Sequence, residues 1–294
     1  MIEYVLALLS LCAILGIAAL ALDLAIGRTG IIHLGIVGLM AVGAYTAAVV
    51  STEYAINPWL ALVAAMIVAG AVGGAIGFIT KSLHGDQLAA VLLGFNFMVY
   101  SLALNWTEFT RGPLGIPGID RPAGLSTSLA FALFTALLFG LAVFVMGLLG
   151  RSVLGRRLAA VRDDELQARV LGIASFRLKL MTCCVSGAVA GLSGGLYAQF
   201  VSFIDPASFF LPLLVLVLSI VFVGGLGSAR GILLGSLIMT FVPEAIRFIP
   251  GIPPVWIGSG RAILFSSALL LIVLARQKGI LGRVELPSSY AEGS

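Results

Sequence analysis

Runs of about twenty apolar residues, such as FALFTALLFGLAVFVMGLLG at 131–150, follow one another along this chain with only short polar breaks. A helix rising about 1.5 Å per residue needs about 20 such residues to cross the hydrocarbon of a bilayer, so each run is the length of one crossing. A membrane β-barrel would instead show segments of about 10 residues alternating apolar and polar, and these stretches are apolar on every side. The pattern therefore predicts an all-α, polytopic transmembrane helix bundle. Composition agrees: 60% of the 294 residues are hydrophobic, 10% are charged, and the mean hydropathy is +1.15. That balance excludes a soluble globular domain and leaves a single membrane domain covering 1–294.

Apolar runs read against polar breaks predict about nine spans (eight to ten), near 4–26, 31–50, 58–79, 88–104, 129–149, 180–202, 211–226, 231–249 and 261–275. The short ones, 88–104, 211–226 and 261–275, are expected to be tilted, broken or re-entrant. The chain opens MIEYV, without the basic start of a secretory signal, so the first run is expected to remain as a helix. The segment 151–179 carries seven basic residues (Arg151, Arg156, Arg157, Arg162, Arg169, Arg177, Lys179) and is predicted to be cytoplasmic. Alternation then places Arg28, Lys81, Arg230, Arg276, Lys278 and Arg283 inside and Arg111, Arg121, Arg247 and Arg261 outside, with the N-terminus outside and the C-terminus, including a tail at about 276–294, cytoplasmic. The net charge of +4 thus marks orientation rather than nucleic-acid binding.

Several motifs carry no chemistry. The GxSxG at Gly191–Gly195 lies inside a continuous apolar helix, not at the strand-turn-helix that exposes a nucleophilic serine, and His33 and His84 have no acid beside them in sequence. Near Lys81-Ser82 the position a phosphate loop requires to be glycine is Thr80, so no nucleotide site is expected. Cys12, Cys183 and Cys184 sit in apolar runs without metal-ligand spacing, and no metal or catalytic residue is expected. Asp23, Glu108 and Asp205 fall near predicted span ends, and Glu244 stands three residues from Arg247, the spacing of a helical ion pair, so the mid-span carboxylates of an ion-coupled carrier are scarce. Gly70 with Gly74, Gly73 with Gly77, and Gly187, Gly191 and Gly195 recur every fourth residue, the pattern that lets helix backbones approach in lipid.

The polar block GRRLAAVRDDELQARVLGIASFRLK, at 155–179, is too polar to span. Leu154, Leu158 and Val161 recur at helical spacing; Asp163 or Asp164 then caps a second helix in which Leu166, Val170 and Ile173 share a face, before Gly172 and Ser175 break it. An amphipathic helical pair is predicted. Three consecutive acids, Asp163 to Glu165, favour a protein partner over anionic lipid at this pair.

On these residues the chain resembles the permease subunits of branched-chain amino-acid ABC importers, the LivM-like half. The resemblance rests on GIIHLGIVGLMAVGAYTAAVV (30–50), TRGPLGIPGI (110–119), the block from Gly155 to Ala198 and GGLGSARGILLG (224–235). It implies that the cytoplasmic pair is a coupling helix docking on an ATPase subunit, with Arg162, Asp163, Asp164, Glu165, Leu166, Ala168 and Gly172 facing it. It also implies a LivH-like second permease, two ABC ATPase subunits that bind the ATP, and an extracytoplasmic solute-binding protein, in an inner membrane of bacterial type. This chain would itself bind no cofactor. Thr110, Gly112, Pro113 and Gly115 would contribute to an outer gate, and the loops near 110–119 and 205–206 would face the binding protein. His33 stands where relatives commonly have serine, Arg111-Gly112 where they have two glycines, and Gln87 where they have an aromatic. Relatives carry amino acids, urea, amides and carboxylates, so the resemblance leaves the small solute open; His33 and Asn96 are the polar groups expected along its path. The rivals are an ion-gradient carrier or channel acting alone and, more remotely, a membrane hydrolase built on Ser193.

Overall fold

The computed structural model describes residues 2–81, 83, 85–244, 267 and 280–282. The ninth predicted span, the C-terminal tail, His84 and Arg247 fall wholly or almost wholly outside them. The helices are α1 (Ile2–Asp23, continued by a π-helical turn, Leu24–Arg28), α2 (Ile36–Thr52), α3 (Pro58–Ile79), α4 (Gly85–Asn105), α5 (Thr107–Thr110), α6 (Ser128–Leu149), α7 (Val153–Asp163), α8 (Glu165–Val170), α9 (Ser175–Val201), α10 (Leu211–Gly224) and α11 (Ala229–Glu244). The chain is mostly helical; its exception is an antiparallel pair of two-residue strands, β1 (Ile116–Pro117) and β2 (Phe203–Ile204).

Against the nine predicted spans, six stretches among the described residues are long and apolar enough to cross a bilayer: Ile2–Arg28, Pro58–Ile79, Gly85–Asn105, Ser128–Leu149, Ser175–Val201 and Pro206–Gly224. The main shortfall has a local cause. The predicted span at 31–50 begins as non-helical chain, Gly30 has a φ of +75°, and α2 starts only at Ile36, leaving 17 residues. Local signals set other starts: Asn57 Oδ1 accepts the Trp59 N–H at 3.0 Å with Pro58 at the first turn of α3, and Thr127 caps α6 through the Ala130 N–H.

Helix α1 is the axis of the bundle. From Cys12 to Asp23 every residue is buried, as expected of a helix that is apolar all round. Around it stand α6, α9, α10 and α11, while α2, α3 and α9 form a second, closely packed group. In that group a Cβ on Gly73 would lie 2.5 Å from the Cys183 carbonyl oxygen and 3.3 Å from Gly187 Cα, and one on Gly187 would meet the Ala69 carbonyl at 2.6 Å. Gly70 and Gly74 abut Cys184 in the same way, Gly191 takes the backbone of Ala65, and Gly195 lies against Leu62. A side chain at Gly73, Gly187 or Gly191 would force the backbones apart. Ser193, the serine of the GxSxG pattern, is buried and donates to the Ile14 carbonyl at 2.7 Å, tying α9 to α1.

The outer surface carries many large apolar side chains. Leu60, Ile67, Leu133, Leu137 and Phe144 are each at least 60% exposed, an arrangement that is costly in water and neutral in hydrocarbon.

Candidate functional site

The two ends of the bundle differ in charge. The ends of α1, α3, α6 and α9 at Arg28, Lys81, Arg151 and Lys179 meet α7, α8 and the α10–α11 turn at one end, which gathers ten of the twelve described lysines and arginines. Only Arg111 and Arg121 stand at the other.

At the basic end, Ser152 caps α7 by accepting the Gly155 N–H at 3.1 Å, and Asp164 resolves the open choice of cap for α8 by accepting the Gln167 N–H at 2.9 Å. Gly172, at φ +79°, ends α8. Helix α7 turns Leu158 and Val161 inward, whereas α8 buries only Ala168 and leaves Leu166 and Val170 71% and 82% exposed. Two large apolar side chains thus face away from the molecule one helical turn apart, with Leu171 beside them.

This pair is fastened to the bundle at two points. Arg162 Nη1 donates to the Gly27 carbonyl at 2.8 Å while its Nη2 meets Asp163 Oδ1 at 2.8 Å, so the end of α7 is held by the end of α1. Gly30 makes room for it: a Cβ there would come within 3.0 Å of Arg162 Cγ. Glu165 bonds Lys179 on α9 and Arg169 on its own helix. Burial alone would push the Glu165 carboxyl up, but hydrogen bonds from Lys179 and Arg169 and their charges outweigh it and hold the group below its usual range. A third contact extends the chain of links: buried Asp23 lies 3.6 Å from Arg28 and accepts the Gly227 N–H at 2.7 Å, joining α1 to the α10–α11 turn. Polar contacts thus tie α7 and α8 to α1 and α9.

At the opposite end, the Thr110 hydroxyl sits 2.7 Å from the Ala103 and Trp106 carbonyls and accepts the Gly112 N–H at 3.2 Å, closing the end of α4. Arg111, Gly112 and Gly115 have φ of +58°, +56° and +67°, and Pro113 lies in the 3-10 turn between them. The chain then pairs as β1 with β2, and Arg121 donates to the Gln199 and Phe200 carbonyls at the end of α9. The segments 110–119 and 203–206 are thus joined into one strap. Its strand pair and Arg121 gave no sequence signal, because a two-residue ladder between distant segments has no periodicity.

His33 lies just before α2, and Asn96 lies on α4 where that helix packs against α2. Gly38 lies against Asn96 Oδ1, Gly35 against His33, and both side chains are buried. Neither ring nitrogen of His33, nor Asn96 Oδ1, has a hydrogen-bond partner among the described residues. Such orphaned polar groups in an apolar core are rare without a purpose.

Comparison with known proteins fits this architecture. The chain is 32% identical to the high-affinity branched-chain amino acid transport system permease protein LivM of Salmonella typhimurium over 94% of its length, covering 71% of that relative. It is 35% identical to LivM of Escherichia coli over 79% of its length and 61% of the relative's, and 27% identical to the guanosine ABC transporter permease NupQ of Bacillus subtilis over 58% and 60%. No solved structure matches it significantly. The family described as branched-chain amino acid transport system / permease component matches residues 4–274, and the chain belongs to that family.

Proposed function

We propose that this chain is one membrane-spanning half of an ATP-driven importer for a branched-chain or related amino acid, with α7 and α8 as the coupling element that receives the ATPase. The observation that carries the reading is the placement of α8: it shows Leu166 and Val170 to the outside while Glu165 and, beside it, Arg162 grip α9 and α1. A push on the exposed face would reach the bundle through those grips, which is what a two-state permease driven by a partner requires. In this reading the basic end is cytoplasmic and the N-terminus external. The strap of 107–121 with 203–206 then faces a solute-binding protein, and a LivH-like permease completes the path for the solute, to which His33 and Asn96 contribute. The guanosine permease among the relatives shows that likeness at this level spans more than one solute class.

The test is assembly and transport with Leu166→Asp/Val170→Asp, a change on exposed side chains that leaves the internal grips intact. The permease pair is expected to stay together and lose its ATPase subunits, and ATP-dependent uptake into liposomes is expected to fall at least about tenfold, as for loss of an anchoring apolar contact. Uptake by this chain alone without ATP would instead establish the gradient-driven carrier.

A further inference from the structure

A cleft of about 460 Å³ opens at the basic end, where the last three turns of α6 pass α7 and the α10–α11 turn. Four arginines line it: Arg28, Arg151, Arg162 and Arg230. Arg28 is balanced by Asp23, and Arg162 by Asp163. The side chains of Arg151 and Arg230 are exposed and have no hydrogen bond or carboxylate partner among the described residues. The cleft therefore holds two positive charges that no described residue compensates.

Its wall differs from the seam between α3 and α9. The glycines that pack α3 against α9 each meet a neighbouring helix, whereas a Cβ on Gly140 or Gly147 of α6, both lining the cleft, would find no atom within 4 Å. Here absent side chains create space rather than contact. From the cleft an exposed apolar stripe, Leu148, Phe144, Leu141, Leu137 and Leu133, runs up one face of α6 for about 22 Å at 1.5 Å per residue.

We propose that this cleft seats the phosphate headgroup of an anionic phospholipid, with its acyl chains lying along the α6 stripe. A basic pocket between helices at the membrane surface suits an anionic headgroup, and guanidinium forks suit phosphate oxygens. The stripe is what selects a lipid: a free anion or an acidic protein side chain would use the arginines but has no need of a continuous apolar track leading from them. The inference is independent of the solute carried.

The intact permease complex, purified in a neutral detergent, is titrated with phosphatidylglycerol or phosphatidylcholine of identical chains, and retained lipid is counted by native mass spectrometry. Phosphatidylglycerol is expected to be held and phosphatidylcholine not. Arg151→Gln/Arg230→Gln is expected to weaken retention by about tenfold or more, following the usual contribution of each basic group near an anionic surface. Arg151→Lys/Arg230→Lys is expected to keep most of it, and the exposed control Arg157→Gln/Arg177→Gln, outside the cleft, to keep it all. Equal retention of both lipids, or unchanged retention by the glutamine pair, overturns the proposal. So does displacement by inorganic phosphate at matched concentration, which makes this a free-anion site, or loss of a partner subunit from the glutamine pair, which makes it a protein interface.

Discussion

The two ends of this bundle are held by different physics. At the basic end the fastenings are charged side chains: Asp23 with Arg28 and Gly227, Arg162 with Gly27, Glu165 with Lys179. At the strap end they are mostly backbone geometry: a two-residue ladder, glycines at positive φ, and carbonyls that accept from Thr110 and Arg121. Charged links are long-range and can be shifted by a partner bearing its own charge, while a backbone ladder either forms or does not. Under the proposed function, the difference suits an end that is driven and an end that must keep its shape.

The largest effect is expected at Asp23. Removing it breaks the buried pair with Arg28 and frees the Gly227 N–H, so Asp23→Ala is expected to cost about 3–5 kcal/mol, the range for removing one member of a buried ion pair. Thermal stability followed by size-exclusion chromatography in detergent measures it, and adding Arg28→Met is expected to restore most of the loss. If the single variant is as stable as the parent, the pair is not a fastening. A smaller effect is expected at the other end. Gly115 has φ +67°, and a Cβ there would fall 2.4 Å from the Ile204 carbonyl oxygen. Gly115→Ala is therefore expected to cost about 1–3 kcal/mol through backbone strain, with faster hydrogen exchange confined to 112–118 and 203–204. Exchange that accelerates equally in α7 and α8 would show the ends to be one cooperative unit.

What the sequence made legible follows from the same contrast. Apolar runs announce helices because a chain in lipid must satisfy its backbone within each segment: eight of the nine predicted positions carry a helix, six of those helical stretches long and apolar enough to cross a bilayer, and the ninth lies almost wholly outside the described residues. Helical periodicity and a capping acid located α7 and α8. Periodicity did not give the direction of a face: Leu166 and Val170 share one, but it points outward, and Ala168 is the residue that packs. Nor could sequence show that Asp23 meets Gly227, 204 residues away, or that Arg162 meets Gly27, 135 residues away. The helix start at Ile36 was missed because residues 31–35 are apolar enough to continue a span, yet the chain there does not coil.

The mildest probe of the two ends is proton concentration. Glu165 is held below the ordinary carboxylate range by Lys179 and Arg169, so its folded form binds protons less readily than its unfolded form. Its contribution is then fully present above the ordinary value of about 4.5 and is lost as pH falls through the lower folded value. The bonds of β1 to β2 do not titrate. Hydrogen exchange corrected for the intrinsic rate is therefore expected to show α8 losing protection below about pH 4.5 while 116–117 and 203–204 keep theirs. Made together with Asp164→Asn, which keeps the α8 cap without its charge, Glu165→Gln is expected to remove that pH dependence and leave α8 about 1 kcal/mol less protected at neutral pH, the upper range for a partly exposed ion pair. If α8 in the double variant still loosens with acid, another group holds it, and the grip on α9 is not through Glu165.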